Sequence, residues 1–257
     1  MQMLKLVDSH CHIEDEEFDK DREKVILKAK RSGVIAVITS SLSYKDVLKS
    51  LKICNKYNEY IYLTVGFDPT IINEEESNRI QNLARKLASK GRIIGLGEVG
   101  LDYYWVKGED REIQKRIFIS WIELAEKLKL PLVVHSRSAG KYAIQLLLEY
   151  GYDRILMHAF DGRSSWALKG ANAGFKFSIP TSVWYSRQKQ KLVKALPLEC
   201  MLVESDSPVL SPVKGERNEP SNLIYAVKKI AEIKNLSIEE VAEITTENAV
   251  KFFYLEV

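Results

Sequence analysis

The chain has 257 residues, 46% of them hydrophobic, which is enough to bury a substantial core, in one barrel-sized domain or equally in two smaller ones. Its 38 basic against 35 acidic residues leave a formal net charge of +3, which excludes an architectural nucleic-acid binder, so any polyanion has to be held locally. Three cysteines, Cys11, Cys54 and Cys200, lack close spacing and exclude a disulfide scaffold, pointing to the reducing cytoplasm, and no apolar run approaches membrane-spanning length.

In chain order, the N-terminus (Met-Gln-Met-Leu-Lys-Leu-Val-Asp) enters charged sequence with no apolar h-region or cleavage site, so no secretory leader is expected. Short apolar, β-branched runs then recur at residues 4–7, 34–39, 60–65, 93–96, 132–134, 155–157, 175–179 and 201–203. They are continuous instead of alternating, as strands covered on both faces by helices are. Between them the spacing predicts helices. Ile80, Leu83, Ala84 and Leu87 share one face, with Gly91 placed to stop the helix. Ile113, Ile117, Trp121, Leu124 and Leu128 share another, opposite Lys115, Glu123 and Lys127. The basic runs 24–31 and 187–194 fall on helices and are expected to be exposed faces of an outer ring. Residues 205–221, with Pro208, Pro212, Gly215 and Pro220, are expected to be irregular, and Ser237 with Glu240 forms a capping box for a last helix. Eight strands alternating with helices predict an α/β fold, a TIM-type (β/α)8 barrel forming a single domain over residues 1–257. An open doubly wound sheet is the structural alternative, although no Gly-rich phosphate loop follows the first strand.

The four histidines all sit at the carboxyl ends of predicted strands: His10 and His12 after the first, His135 after the fifth, His158 after the sixth. Barrel enzymes draw their ligands from this end, because the βα loops form a cup there. His10 and His12 are two residues apart, so in extended chain both project from one face and reach one cation together. Glu98 and Asp206 occupy equivalent strand ends. A single histidine near a strand is more often a structural residue, and a single carboxylate there more often a helix N-cap, but four of four histidines at one rim reverse that preference. Imidazole and carboxylate together suit Zn²⁺, with Mn²⁺, Fe²⁺, Co²⁺ and Mg²⁺ also compatible. Arg137 and Lys141, just after His135, are candidate phosphate contacts, and Arg163, Ser207 and Arg217 are further ones, each weighed against a plain surface or structural role. Tyr103, Tyr104, Trp105, Phe160 and Trp184 are candidate stacking platforms for unpaired bases.

An ordered set of motifs runs through about 240 residues. They are Asp8-Ser9-His10-Cys11-His12, Gly97-Glu98-Val99-Gly100-Leu101-Asp102-Tyr103, Pro131-Leu132-Val133-Val134-His135-Ser136-Arg137, His158-Ala159-Phe160-Asp161-Gly162, Glu204-Ser205-Asp206-Ser207-Pro208, Arg217-Asn218-Glu219-Pro220 and Thr246-Glu247-Asn248-Ala249. This set resembles the TatD family of metal-dependent deoxyribonucleases among the amidohydrolase-like barrels. The resemblance implies two divalent cations (Zn²⁺, Mg²⁺ or Mn²⁺), one on His10, His12 and Asp206, the other on His135 and His158, with Glu98 bridging them. There is one departure. Where the family has Gly-x-His-Pro after the third strand, with a histidine that touches substrate, this chain has Gly66-Phe67-Asp68-Pro69, and Asp68 repels a phosphate unless it is protonated or paired.

The function expected is hydrolysis of DNA phosphodiester bonds by a two-metal-activated water, with Glu98 and Asp206 as catalytic residues and Asp206 as general base. Substrate contacts are assigned to Arg137, Asp68, Lys141 and Ser207. The resemblance implies 3′→5′ exonuclease action, with single strands or frayed ends as the DNA partner and no membrane. Two rivals stand beside it. One is hydrolysis of another ester or an amide, such as a misacylated tRNA, on the same scaffold. The other is a non-catalytic metal-binding interaction protein, disfavoured because a structural zinc site closes with four ligands and needs no second cation.

Overall fold

A computed structural model describes residues 4–256; the first three residues of the N-terminal segment in which no leader is expected lie outside them. Eight parallel strands follow one another around the sheet in chain order: β1 (Leu6–Cys11), β2 (Val34–Ser41), β3 (Ile61–Val65), β4 (Gly95–Gly100), β5 (Leu132–His135), β6 (Ile155–Met157), β7 (Lys176–Pro180) and β8 (Met201–Glu204). The ring closes from β8 to β1, where Ser9 Oγ donates to the Val203 carbonyl at 2.8 Å and the Asp206 N–H donates to the His10 carbonyl at 3.0 Å. The fold is a TIM-type barrel, and this sequential order rules out the doubly wound alternative. No helix among the described residues is long and apolar enough to cross a membrane.

The helices α1 (Arg22–Arg31), α2 (Tyr44–Lys56), α3 (Glu74–Ala88), α4 (Asp110–Leu128), α5 (Gly140–Tyr150), α6 (Ser164–Asn172), α7 (Arg187–Ala195) and α8 (Leu223–Lys234) alternate with the strands. Each lays an apolar stripe on the barrel. In α4, Ile117, Trp121 and Leu124 are buried as their spacing requires, and the Trp121 indole N–H donates to Ser77 Oγ of α3 at 2.9 Å. A ninth helix, α9 (Ile238–Phe253), starts at the Ser237 cap, whose hydroxyl accepts from the Glu240 N–H. It lies under the amino ends of the strands, where Thr246 Oγ1 donates to the Lys5 carbonyl at 2.8 Å and Asn248 Nδ2 to the Met201 carbonyl at 2.8 Å. Residues 205–219 carry no helix or strand, but the irregular stretch expected over 205–221 ends slightly earlier, in a 3-10 turn at Pro220–Asn222.

Several strands run further than their apolar runs suggest, β1 and β4 by the most. β1 continues to Cys11 and β4 to Gly100, so His10 and Glu98 lie within strands and not after them. Polar residues facing the carboxyl end of the barrel interrupt the apolar pattern that marks a strand in sequence. The basic run 187–194 lies on α7 of the outer ring, but one member departs from expectation. Lys189 is only 9% exposed, because it shares a helix face with Leu192 and Val193, three and four residues on.

Candidate metal centre

The six candidate ligands converge at the carboxyl end of the barrel, and close packing of backbone delivers them. β4 presses against its neighbours around Glu98. Gly97 sits at φ +118°, where a side chain is strained, and a Cβ there would also collide with Val133 of β5; a Cβ on Gly66 would collide with the Glu98 backbone. Asp206 adopts φ +53°, a left-handed conformation that aspartate tolerates better than most residues. Asp8, fully buried, fixes this turn by accepting from the Ser205 N–H at 2.8 Å and the Ser205 hydroxyl at 2.6 Å.

Glu98 is at the centre, its two carboxylate oxygens turned to different imidazoles. Oε2 lies 3.3 Å from His10 Nε2 and 3.5 Å from His12 Nε2, while Asp206 Oδ1 stands 3.5 Å and 3.7 Å from the same two nitrogens. Oε1 lies 2.5 Å from His135 Nδ1 and 3.0 Å from His158 Nε2. The ligand atoms of His10, His12 and Glu98 lie within 4.8 Å of one another, as do those of Glu98, His135 and His158, and those of His10, His158 and Asp206. Two ligands at about 2.1 Å from one tetrahedral cation stand about 3.4 Å apart, so the separations around Oε2 fit donors that share an ion. His10 Nε2 gives a second test of fit: it is buried, has no hydrogen-bond partner, and faces two carboxylates. A cation there satisfies it.

In three of the four rings the far nitrogen is also held, which fixes the ring orientation and leaves the inner nitrogen free to ligate, while the far nitrogen of His158 is buried without a hydrogen bond. His12 Nδ1 donates to the Ser40 carbonyl at 2.8 Å, and His10 Nδ1 meets Ser40 Oγ at 3.0 Å. His135 Nε2 pairs with Asp102 Oδ2 at 3.1 Å. His158 Nδ1 faces Glu204 Oε1 at 3.6 Å, and the fully buried Glu204 also accepts from the Ala159 N–H at 2.8 Å and from the Ser178 hydroxyl. Ala159 has φ +36° and is clamped from its other side by Lys189, whose amino group donates to the Ala159 carbonyl at 2.6 Å and the Phe160 carbonyl at 2.8 Å. The turn carrying His158 is thus gripped between an acid and a base.

Carboxylates dominate the charge here. Asp8, Glu14, Glu98, Asp102, Glu204 and Asp206 are all buried, an arrangement that is unfavourable without compensating positive charge. Burial disfavours charge on His12, but Glu98, Glu14 and Asp206 outweigh it and push His12 up to about 10. His158 is likewise raised well above the ordinary imidazole value, with Glu98 and Glu204 overriding burial. Burial and the neighbouring His158 push His10 down to about 4. Burial raises Asp206 to about 7, and burial resists ionisation of Glu98, yet His158 and His135 hold it well below the usual carboxylate range. Protons on His12 and His158 supply the positive charge that divalent cations would supply in their place.

Above the ligands opens a cavity of about 640 Å³, lined by His12, Glu98, His135, His158 and Asp206 together with Arg137 and Lys189. Of the residues expected to touch substrate, Arg137 is brought to it, its guanidinium 4.1 Å over the Tyr104 ring. Lys141 and Arg163 line a neighbouring cleft. Ser207 is fully buried, bonded to Ser205 Oγ while its carbonyl accepts from the His12 N–H, so it holds the loop beneath the centre. Asp68 turns to Thr70, accepting from its N–H at 2.8 Å and its hydroxyl at 2.7 Å, and does not line the cavity. Arg217 is engaged by Asp21 at 2.7 Å. Tyr104 and Trp105 are exposed as platforms require, whereas Phe160 is core, edge-on to Phe177. Sequence reasoning missed Ser40 and Lys189 and gave no role to Asp102 or Glu204.

The chain is similar to known proteins along nearly its whole length. A family model described as TatD related DNase matches residues 7–254. A human protein named deoxyribonuclease TATDN3 is 42% identical over 258 residues, covering 96% of this chain and 94% of that protein. A protein of Methanocaldococcus jannaschii, named as a metal-dependent hydrolase, is 37% identical over 257 residues, covering 98% of each. Among solved structures, a TatD homologue from Escherichia coli superposes with a TM-score of 0.89 at 21% identity, over 99% of this chain and 100% of that one, a likeness of fold.

Proposed function

The chain belongs to the TatD related DNase family and is a metal-dependent hydrolase, and from that premise we propose that it is a 3′→5′ exodeoxyribonuclease of the cytoplasm, acting on single-stranded or frayed DNA ends with two divalent cations. The observation that carries this proposal is Glu98, whose two oxygens face different imidazole pairs on the floor of an open cavity. His10, His12 and Asp206 would hold one cation, His135 and His158 the other, with Glu98 shared. When bound, Zn²⁺, Mg²⁺ or Mn²⁺ makes a water more acidic and neutralises charge on the scissile phosphate.

The remaining work falls to side chains of this chain. Asp206, whose carboxylate stands beside the His10 and His12 ring nitrogens at the floor of the cavity, is the group placed to accept a proton. It takes the proton of the attacking water as the new P–O bond forms and the bond to the departing nucleotide breaks. Arg137 presents a fork of donors to the phosphate, its guanidinium stacked on Tyr104 and free of any ion pair among the described residues. Tyr104 and Trp105, exposed beside it, offer faces on which a terminal base stacks. A cup of this kind admits a strand end more readily than an intact duplex.

The test is digestion of end-labelled single-stranded DNA by metal-stripped protein with Mg²⁺, Mn²⁺ or Zn²⁺ added back, beside a Glu98→Ala control. Cation-dependent release of nucleotides from the 3′ end, absent in the control, is the expected result. Release from the 5′ end or by internal cuts would overturn the polarity, and no release with any cation would overturn the nuclease assignment.

A further inference from the structure

A second cleft adjoins the catalytic cavity. It encloses about 860 Å³ between the starts of α5, α6 and α7, and its lining includes Lys141, Tyr142, Arg163, Trp166 and Lys191. Asp161 and Gln188 line both spaces, so the two adjoin across a shared wall. The ridge between them is stitched together: the Ser138 N–H donates to Asp161 Oδ2 at 2.7 Å, the Gly140 N–H to the Asp161 carbonyl at 3.1 Å, and Gln188 Nε2 to the Gly162 carbonyl at 2.9 Å.

The cations of this cleft are set apart from those elsewhere on the surface by their place beside the catalytic cavity. The clefts beside α1 and α2 also contain many cations, of which Arg22 and Lys49 pair with Asp19, Lys56 with Glu23, Lys45 with Glu16 and Arg79 with Glu76, while Lys20, Lys24 and Lys52 carry no ion pair among the described residues; neither cleft shares a lining residue with the catalytic cavity. None of the ion pairs among the described residues involves Lys141, Arg163 or Lys191, and Asp161, the one carboxylate lining the cleft, already accepts from Ser138. In a chain whose net charge is only +3, three unpaired cations facing one hollow concentrate positive potential where a polyanion leaving the catalytic cavity would pass. Tyr142 is half exposed on the wall, and Trp166 lies within reach of the Lys141 and Lys169 amino groups, so the charged track is interleaved with ring faces on which bases stack.

We propose that the cleft formed by Lys141, Arg163 and Lys191 is the track for the sugar–phosphate backbone of a single nucleic-acid strand whose terminal nucleotide sits over the His, Glu and Asp cluster. This rests on the nuclease function proposed above and extends it, because it places the nucleotides that are not being cut. It also explains how a protein without a basic excess holds DNA.

The test separates binding from turnover. A labelled oligothymidylate of about a dozen nucleotides, long enough to span both spaces, is titrated with chelator-treated protein across a range of salt and followed by fluorescence anisotropy. Arg163→Ala/Lys191→Ala is expected to bind about 10-fold more weakly at low salt, with a log affinity against log salt slope shallower by about 1.4, since each single-strand phosphate contact contributes about 0.7. With cations restored, the gain in kcat/KM from a dinucleotide to the long strand is expected to shrink in the variant. Unchanged affinity and slope would overturn the track even if the protein digests DNA. Equal competition by polyglutamate would overturn its assignment to nucleic acid. A wild-type protein that neither binds nor digests any oligonucleotide would instead overturn the nuclease function beneath it.

Discussion

The two ends of the barrel are built from the same strands and do opposite work. At the amino end, Val7, Ala36, Ile38, Val133, Leu156 and Leu202 pack with Ala249, Phe253 and Leu255 from α9 and the chain after it. Two residues further along the same strands stand Ser40 after Ile38, His135 after Val133, His158 after Leu156 and Glu204 after Leu202. Residues two apart project from one face of a strand, so each column passes from packing to chemistry within about 7 Å. The amino end buries apolar surface and stabilises the fold. The carboxyl end buries acids and imidazoles that oppose it until a cation arrives. Stability and activity therefore have separate addresses.

The strongest test of that separation is Glu98→Ala, which is expected to lower turnover by at least ~10³-fold while cooperative unfolding persists in circular dichroism. Loss of the cooperative transition would mean that the rim holds the fold together. The converse is Phe253→Ala under the barrel. It is expected to cost about 3–5 kcal/mol of unfolding free energy in urea titrations, with turnover per folded molecule retained. A folded Phe253→Ala protein with little activity would show the two ends to be coupled.

Acidity distinguishes the ends further. Without a cation His12 keeps its proton to about pH 10, so cation uptake at neutral pH must expel it, and affinity is expected to rise with pH by up to about tenfold per unit for each proton expelled. The stability counterpart has the opposite sign. A group whose folded value is raised contributes fully below its ordinary value of 6.5 and loses that contribution as pH climbs through about 10, so the cation-free protein weakens over this window. Calorimetric titration in two buffers of different ionisation enthalpy measures the protons released, and none released would contradict protonated imidazoles at the rim.

The ligands were legible in the sequence because each stands shortly after an apolar run, and only a barrel or a sheet brings eight strand ends together. The surrounding shell was not. Ser40 reaches His10 across 30 residues and Asp102 reaches His135 across 33, and nothing local announces either contact. Asp102 and Glu204 were visible inside the recurring motifs, but their role as partners of His135 and His158 needs the ring positions. Lys189 carried a signal that was passed over. Read as a charge run, residues 187–194 look exposed; read by helical face, Lys189 falls in line with Leu192 and Val193 and must point inward.

Asp68 tests how far outward the chemistry of the rim extends. By the resemblance it stands where a histidine would be expected, yet its carboxylate is occupied by the N–H and hydroxyl of Thr70, and its own N–H donates to the Leu42 carbonyl at 3.3 Å. Those bonds give Asp68 the work of shaping the turn that leads to α3. Asp68→His is accordingly expected to change kcat/KM on single-stranded DNA by less than about 3-fold, and to cost about 1 kcal/mol in urea unfolding through the lost side-chain to backbone bond. A tenfold gain in activity would make position 68 a weakened substrate contact and move the boundary between structural and chemical residues outward from the ligands to the loops. A cost in stability without a change in activity would leave that boundary at the strand ends.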